Sequence, residues 1–444
     1  MHDIHVPSDI PARYLSRRRG VSLIIGAFTL LGFLAFVVLL QTDPDRAWEA
    51  YVSHWLFFVS VAQGAIMLGV ATTITKAKWN WSVRRVSLAF GAFLPLAFLL
   101  LIPMLLGLRE NYFPWIEQMA YDEIVQKKEA YLNIPFLVAR NVVGAMLLFG
   151  LSLIFIYFAV RPDLGPDRSR DEDGDAGRAR WRERIAAGWM GQAQEEERSW
   201  RKMKVLAPAL ALVFALVMSI FAIDWAMSLE SHWFSMLFPA WYFMGGFWGG
   251  IALTALAVVL LKKLAPDFNE SMGPQQLHDL GKLVFAFSIF WAYLVFSQYI
   301  VIWYGKLPWE QVWIIDRSGA DWGYLSLSVI ILCFVVPFVG LIGRNPKMVP
   351  GWLGAISFIA LLGLWLERFL LVAPSLHEPG TATITAWEPL IGFGFLGLFV
   401  ASARWFLTTF PVIQIWQPPQ EPESLEAELP REEAREAQEA RLQA

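Results

Sequence analysis

Of 444 residues, 56% are hydrophobic and only 17% charged, against about 25% charged in an ordinary soluble domain. The charges gather between long apolar runs, which excludes a soluble globular fold and indicates a polytopic membrane protein; the net charge of −3 selects no partner by itself. The single cysteine, Cys333, lies inside an apolar run, and no CxxC or CxxCH occurs, so residue types exclude an internal disulfide, iron–sulfur ligation and covalent haem attachment by this chain.

In chain order, residues 1–19 form a polar N-terminal segment ending in Arg13, Arg17, Arg18 and Arg19. Apolar runs long enough to span follow at 20–41, 50–75, 83–107, 136–161, 205–227, 239–264, 278–304, 324–343, 351–373 and 386–410, predicting ten transmembrane helices. Helices one to four occupy 20–161 and helices five to ten occupy 205–410. The runs are continuous rather than alternating, which argues against a β-barrel. The first run is too long for a cleavable signal and lacks a small-residue cleavage site, so it reads as a retained span. Residues 162–204 are a charged linker with a predicted surface helix bearing Trp181, Trp189 and Trp200, and 411–444 form an acidic tail.

Lys and Arg concentrate in the connections on the N-terminal side: Arg13 to Arg19, Lys76 to Arg85, 161–204, Lys262 and Lys263, Arg344 and Lys347. The other side holds only Arg46, Arg109, Lys127, Lys128, Lys306 and Arg317, which predicts both termini in the cytoplasm. On that outer side, 108–135 is expected to form a short surface helix, and the loops 228–238 and 305–323 carry interfacial Trp. Glycine-rich faces (Gly245, Gly246, Gly249 and Gly250; Gly392, Gly394 and Gly397) allow helices to approach closely.

Ionisable residues at membrane depth are costly unless paired, hydrated or used. Asp224 lies about one turn inside the outer end of helix five, with Glu230 and His232 in the following loop; together they read as a carboxylate–carboxylate–imidazole cluster able to pass protons or meet a quinol head group. Capping and simple ion pairing by Asp224 is the competing reading. Asp279 and Lys282, three apart at the cytoplasmic start of helix seven, share a face and suit either a proton entrance or a capping pair. Further along, Tyr293 and Ser297 share a face and can extend a hydrogen-bonded path or join helices. Glu367 and Arg368 lie about two turns from the outer end of helix nine, as candidates for the proton path or for a structural ion pair; adjacent residues point about 100° apart, so each is expected to pair with a different helix rather than with the other. Arg140, Asn141 and Gln63 are weaker candidates. His54 at the outer end of helix two reads as an interfacial histidine ahead of a quinone contact. None of the six His lies mid-span, which disfavours a membrane haem, and no P-loop, GxSxG or HExxH motif occurs.

The stretch FAIDWAMSLESHW, the stretch HDLGKLVFAFSIFWAYLVFSQYIVIWYGKLP and the segment LERFLLVAPS (Leu366 to Ser375) closely resemble the ActF family, the second large membrane subunit of bacterial alternative complex III. That family is similar to the NrfD and polysulfide reductase membrane subunits. One departure is Pro308-Trp309-Glu310-Gln311, where family members often carry an acidic pair after the proline.

The resemblance covers the ten predicted spans and implies an all-α fold of two four-helix bundles, helices two to five and six to nine, with two flanking helices. It implies a place in the inner membrane within a quinol:cytochrome c (electron acceptor) oxidoreductase. Expected partners are a homologous NrfD-like sister subunit, an iron–sulfur subunit and multihaem and monohaem cytochrome c subunits, with a terminal oxidase as a further candidate and no nucleic acid. Haem c and iron–sulfur clusters would then belong to partners. Menaquinone or ubiquinone would bind the sister subunit or, here, His54, Asp224 and His232. The resemblance also implies two proton half-channels, the outer one at Asp224, Glu230 and His232 and the inner one at Asp279 and Lys282. A secondary transporter and a purely structural anchor are the alternatives from other classes.

Overall fold

The structure is a computed structural model and describes residues 7, 10–107, 112–165, 176–265, 268–269, 271–319, 321–376 and 383–418. His2, His5, His377 and residues 419–444 of the acidic tail lie outside the described residues. Among the described residues ten helices are long and apolar enough to cross a bilayer: α1 (Arg19–Thr42), α2 (Pro44–Ile74), α3 (Arg84–Gly107), α4 (Ile134–Leu164), α5 (Gln192–Leu229), α6 (Leu237–Leu264), α7 (Pro274–Gly305), α8 (Gly323–Leu341), α9 (Pro350–Ser375) and α10 (Trp387–Thr409). The chain is a multi-pass helical membrane protein. In hydrocarbon no water satisfies the backbone, so each span bonds its own amides as a helix.

Most helix ends fall within a few residues of the apolar runs; α2 and α5 extend beyond theirs. α2 starts at Pro44 because Asp43 caps it, accepting the Arg46 N–H at 3.2 Å, and because proline needs no donor at the first helical position. His54 therefore lies ten residues, about 15 Å, into the helix and not at its mouth. α5 starts at Gln192, so much of the expected surface linker is its first turns. Buried Glu195 anchors those turns through a two-pronged pair with Arg161, at 2.7 and 2.9 Å.

The ten spans place their connections on two faces. The face where α1 begins, called here the basic face, also holds the short helix Ala176–Ala186, whose Trp181 meets Trp405 of α10 edge-on at 5.6 Å. Residues 411–418, at the start of the expected acidic tail, are tucked into this face. Trp416 is fully buried, and Asp163, itself paired with Arg85, accepts the Ile415 and Trp416 N–H groups at 3.0 and 2.8 Å. The opposite face carries the short helices Pro114–Gln118, Glu123–Gln126 and Pro308–Ser318.

Helices α2–α5 form one bundle and α6–α9 a second, while α1 and α10 pack on each other beside α2. The bundles join where α2 and α6 cross, and there the backbones touch. A Cβ built on Gly64 would stand 1.9 Å from the Gly246 carbonyl oxygen, and one on Gly250 2.0 Å from the Ala65 nitrogen. Small residues give helices in lipid the close packing that the hydrophobic effect does not supply between them. Gly250→Leu should therefore abolish the monodisperse folded protein, whereas Gly150→Leu, at an α4 site with open space around its Cα, should leave it intact. Size-exclusion profiles of the two variants after detergent extraction check this.

Candidate functional site

In the first bundle Asp224 is fully enclosed on α5. Arg140 of α4 grips it side-on: Nε donates to Oδ2 at 2.8 Å and Nη2 to Oδ1 at 2.7 Å. Asn141 Nδ2 donates to Oδ2 at 2.6 Å, and the Tyr131 hydroxyl to Oδ1 at 3.0 Å. The guanidinium also lies 3.9 Å from the centre of the Tyr131 ring. Trp225 Nε1 donates to Asn141 Oδ1 at 2.8 Å, and the Tyr112 hydroxyl to the Trp225 carbonyl at 2.7 Å, so the network spreads into the loop after α3. An ionised carboxylate offers about four acceptor sites, and these donors occupy them.

The expected Asp224–Glu230–His232 cluster is divided among separate partners. His232 is exposed on the loop and its Nε2 meets Asp122 Oδ2 at 2.6 Å. That hydrogen bond, with the Ile124 and Val125 N–H groups, holds the Asp122 carboxyl below the usual carboxylate range. Burial pushes the Glu230 carboxyl up, opposed by the Ser375 hydroxyl and the Arg317 guanidinium. Arg317, lowered to about 10 by burial, donates to the Leu370 and Leu371 carbonyls at 3.1 and 3.0 Å, and so closes the open carbonyl end of α9.

In the second bundle Glu367 and Arg368 are both enclosed. They pair with each other, contrary to the expectation from their 100° offset. Both side chains are long enough to wrap that angle, and in a low-dielectric interior neither charge can stand alone. Trp291 Nε1 of α7 donates to Glu367 Oε1 at 2.7 Å; Arg368 Nη2 donates to the Tyr242 carbonyl of α6 at 2.8 Å and its guanidinium lies 4.2 Å from that ring's centre. Arg368 Nε has no hydrogen-bond partner.

Asp279 and Lys282 do meet, at 2.6 Å, near the basic face, and Gln275 Nε2 donates to the other Asp279 oxygen at 2.9 Å. Tyr293 and Ser297 do not join the buried path. Tyr293 points outward at 60% exposure and Ser297 is half-buried, while Trp291 and Gln298 take the inward positions. Gln63, also buried, accepts from Ser152 at 3.1 Å.

His54 is buried rather than interfacial. Its Nδ1 lies 2.6 Å from the Ala50 carbonyl and its Nε2 accepts the Trp365 indole N–H at 2.9 Å, which fixes the neutral tautomer with its proton on Nδ1. Of the three residues expected to meet a quinone, His54 therefore has neither ring nitrogen to spare, Asp224 is saturated, and His232 is engaged on an exposed loop. These residues do not fit a quinone head group.

Sequence reasoning missed Trp291, Tyr131, Tyr242 and Asp122 as partners of the charged groups. Arg140 and Asn141 were visible as polar residues in an apolar run, but nothing in the sequence joins them to a carboxylate more than 80 positions away. No protein-family model and no curated protein matches this chain.

Because breaking a buried pair strands its partner, Arg140→Leu or Asp224→Leu alone should cost about 3–5 kcal/mol of stability. The double variant should cost less than either. A double-mutant cycle on the detergent-solubilised protein measures this, and additive costs would mean the two residues do not couple.

Proposed function

We propose that this chain is an integral membrane subunit of a bacterial quinol:electron-acceptor oxidoreductase complex, anchoring redox partners and holding a transferable proton at Glu367. The likeness of the α5, α7 and α9 stretches to the ActF family supports the complex and its partners: a homologous sister subunit, an iron–sulfur subunit and cytochrome c subunits. The asymmetry of Lys and Arg supports an inner-membrane orientation with both termini cytoplasmic. Quinol chemistry is assigned to the partners, since His54 and Asp224 here have their polar atoms satisfied and His232 pairs with Asp122 on an exposed loop.

The proton assignment rests on the incomplete shell around Glu367 and Arg368. Glu367 accepts one hydrogen bond from Trp291 and one from Arg368, and the Trp241 indole N–H of α6 is turned toward it without closing a full hydrogen bond, while Arg368 Nε is buried without a partner. Buried polar atoms in this condition are commonly satisfied by water. A hydrated Glu367 can take up a proton while keeping its remaining contacts; Asp224, with every acceptor site used, cannot. Buried Asp279 and exposed Lys282 form a charged pair at the basic face, twelve residues or about 18 Å along α7 from Trp291. Buried Ser288 lies between, so water must bridge the rest.

In the isolated complex, Glu367→Gln should slow proton transfer by about 100-fold, the low end for loss of a positioned proton donor, while Glu367→Asp retains most of it. Both should leave electron transfer from quinol competent when the proton gradient is collapsed. Proton release per quinol is the readout, and an unchanged value in a well-assembled Glu367→Gln complex removes Glu367 from the path.

A further inference from the structure

Between α10 on one side and α6 and α9 on the other runs an apolar groove of about 610 Å³, within the size range of specific ligand sites. Its floor is Phe57, Phe58 and Val61 of α2 with Phe90 of α3, and its walls include Leu256, Leu260, Phe358, Leu362, Leu396 and Val400. The wall residues Leu260, Phe358, Leu362, Leu396 and Val400 are exposed in the chain, so the groove opens sideways toward the surrounding lipid.

The two ends differ in chemistry. At the basic face stand Ser16, Arg18 and Arg404. Arg404 donates to the Ser22 hydroxyl at 2.9 Å and the Arg18 carbonyl at 3.0 Å, which ties α10 to the start of α1, and neither arginine pairs with a carboxylate among the described residues. The far end is capped by His54 and Trp365, with Gly392 against the imidazole: a Cβ there would come 2.5 Å from His54 Nε2. His54 and Trp365 satisfy each other, so this end presents no free donor to a polar head. From Arg404 up to Gly392 is twelve residues of α10, about 18 Å, slightly more than one leaflet of the hydrocarbon core at about 15 Å.

We propose that this groove is a binding site for an anionic phospholipid, its phosphate held by Arg18 and Arg404 and one acyl chain laid along α2 as far as His54 and Trp365. An apolar slot of leaflet length suits a chain, and a cationic mouth with no carboxylate partner among the described residues suits a phosphate; basic pockets between membrane helices take anionic head groups for the same reason. A quinone would need a donor at the closed end, and the structure offers none there. The lipid would join α10 and α1 to the second bundle.

The test uses the full-length chain purified in mild detergent, with phosphatidylglycerol and phosphatidylcholine of matched acyl chains added as probes and retention read by native mass spectrometry. The native chain should retain phosphatidylglycerol over phosphatidylcholine by about thirtyfold, as two arginines at head-group depth predict. Arg18→Gln with Arg404→Gln should erase that preference. Ala257→Trp, which fills the groove and leaves both arginines, should reduce retention of either lipid. Equal retention of the two lipids by the native chain, an unchanged preference in the arginine variant, or quinone or a partner's helix found in the groove would each overturn the proposal.

Discussion

The fold depends on the contact of α2 with α6, where Gly64, Gly246 and Gly250 bring two backbones together without side chains between them. In lipid, apolar surface gains little by leaving the tails for another helix, so proximity and close packing must hold the bundles. Once the two helices cross there, the remaining spans are placed around them: α3 to α5 on one side, α7 to α9 on the other, and α1 with α10 along the edge of α2. The groove beside His54 is a by-product of the same arrangement. α9 and α10 both pack on α2, and the space between them opens to lipid.

The buried charges follow two different rules. Around Asp224 every carboxylate lone pair has a donor from α4 or the loop before it, so the group serves to lock α4 against α5 and to hold the opposite-face loop through Trp225 and Tyr112. Around Glu367 the shell is only partly filled, and its three helices, α6, α7 and α9, are those of the second bundle. A saturated pair resists a change of charge; an unsaturated one tolerates it. That contrast, and not burial by itself, distinguishes the group proposed to carry a proton from the group that holds the structure together.

Much of this was legible in the sequence. All ten spans follow from continuous apolar runs, and the glycines of α6 stand out as a small-residue face. The i to i+3 spacing of Asp279 and Lys282 places them together, and they meet. What the sequence hides is anything decided across helices. The Asp224–Arg140 pair joins positions 84 apart, and no local pattern encodes it. His54 looked interfacial because the apolar run begins at 50; an Asp43 cap and Pro44 lengthen the helix and move the imidazole inward. Glu367 and Arg368 do meet different helices, α7 and α6, as helical geometry requires, but their side chains are long enough to pair with each other as well, which the penalty for an isolated buried charge favours. Tyr293 and Ser297 share a face as their spacing requires, but the face is the outward one, which only packing against α6 and α9 decides.

The central claim is that this chain works inside a quinol-oxidising complex and not alone. The most direct measurement is gentle detergent extraction of the native protein, followed by mass spectrometry of its subunits and a reduced-minus-oxidised visible spectrum. The account predicts co-purification with a homologous membrane subunit, an iron–sulfur subunit and cytochromes c, and a haem c spectrum reducible by quinol. A colourless, solitary chain that assembles with no redox partner would contradict it.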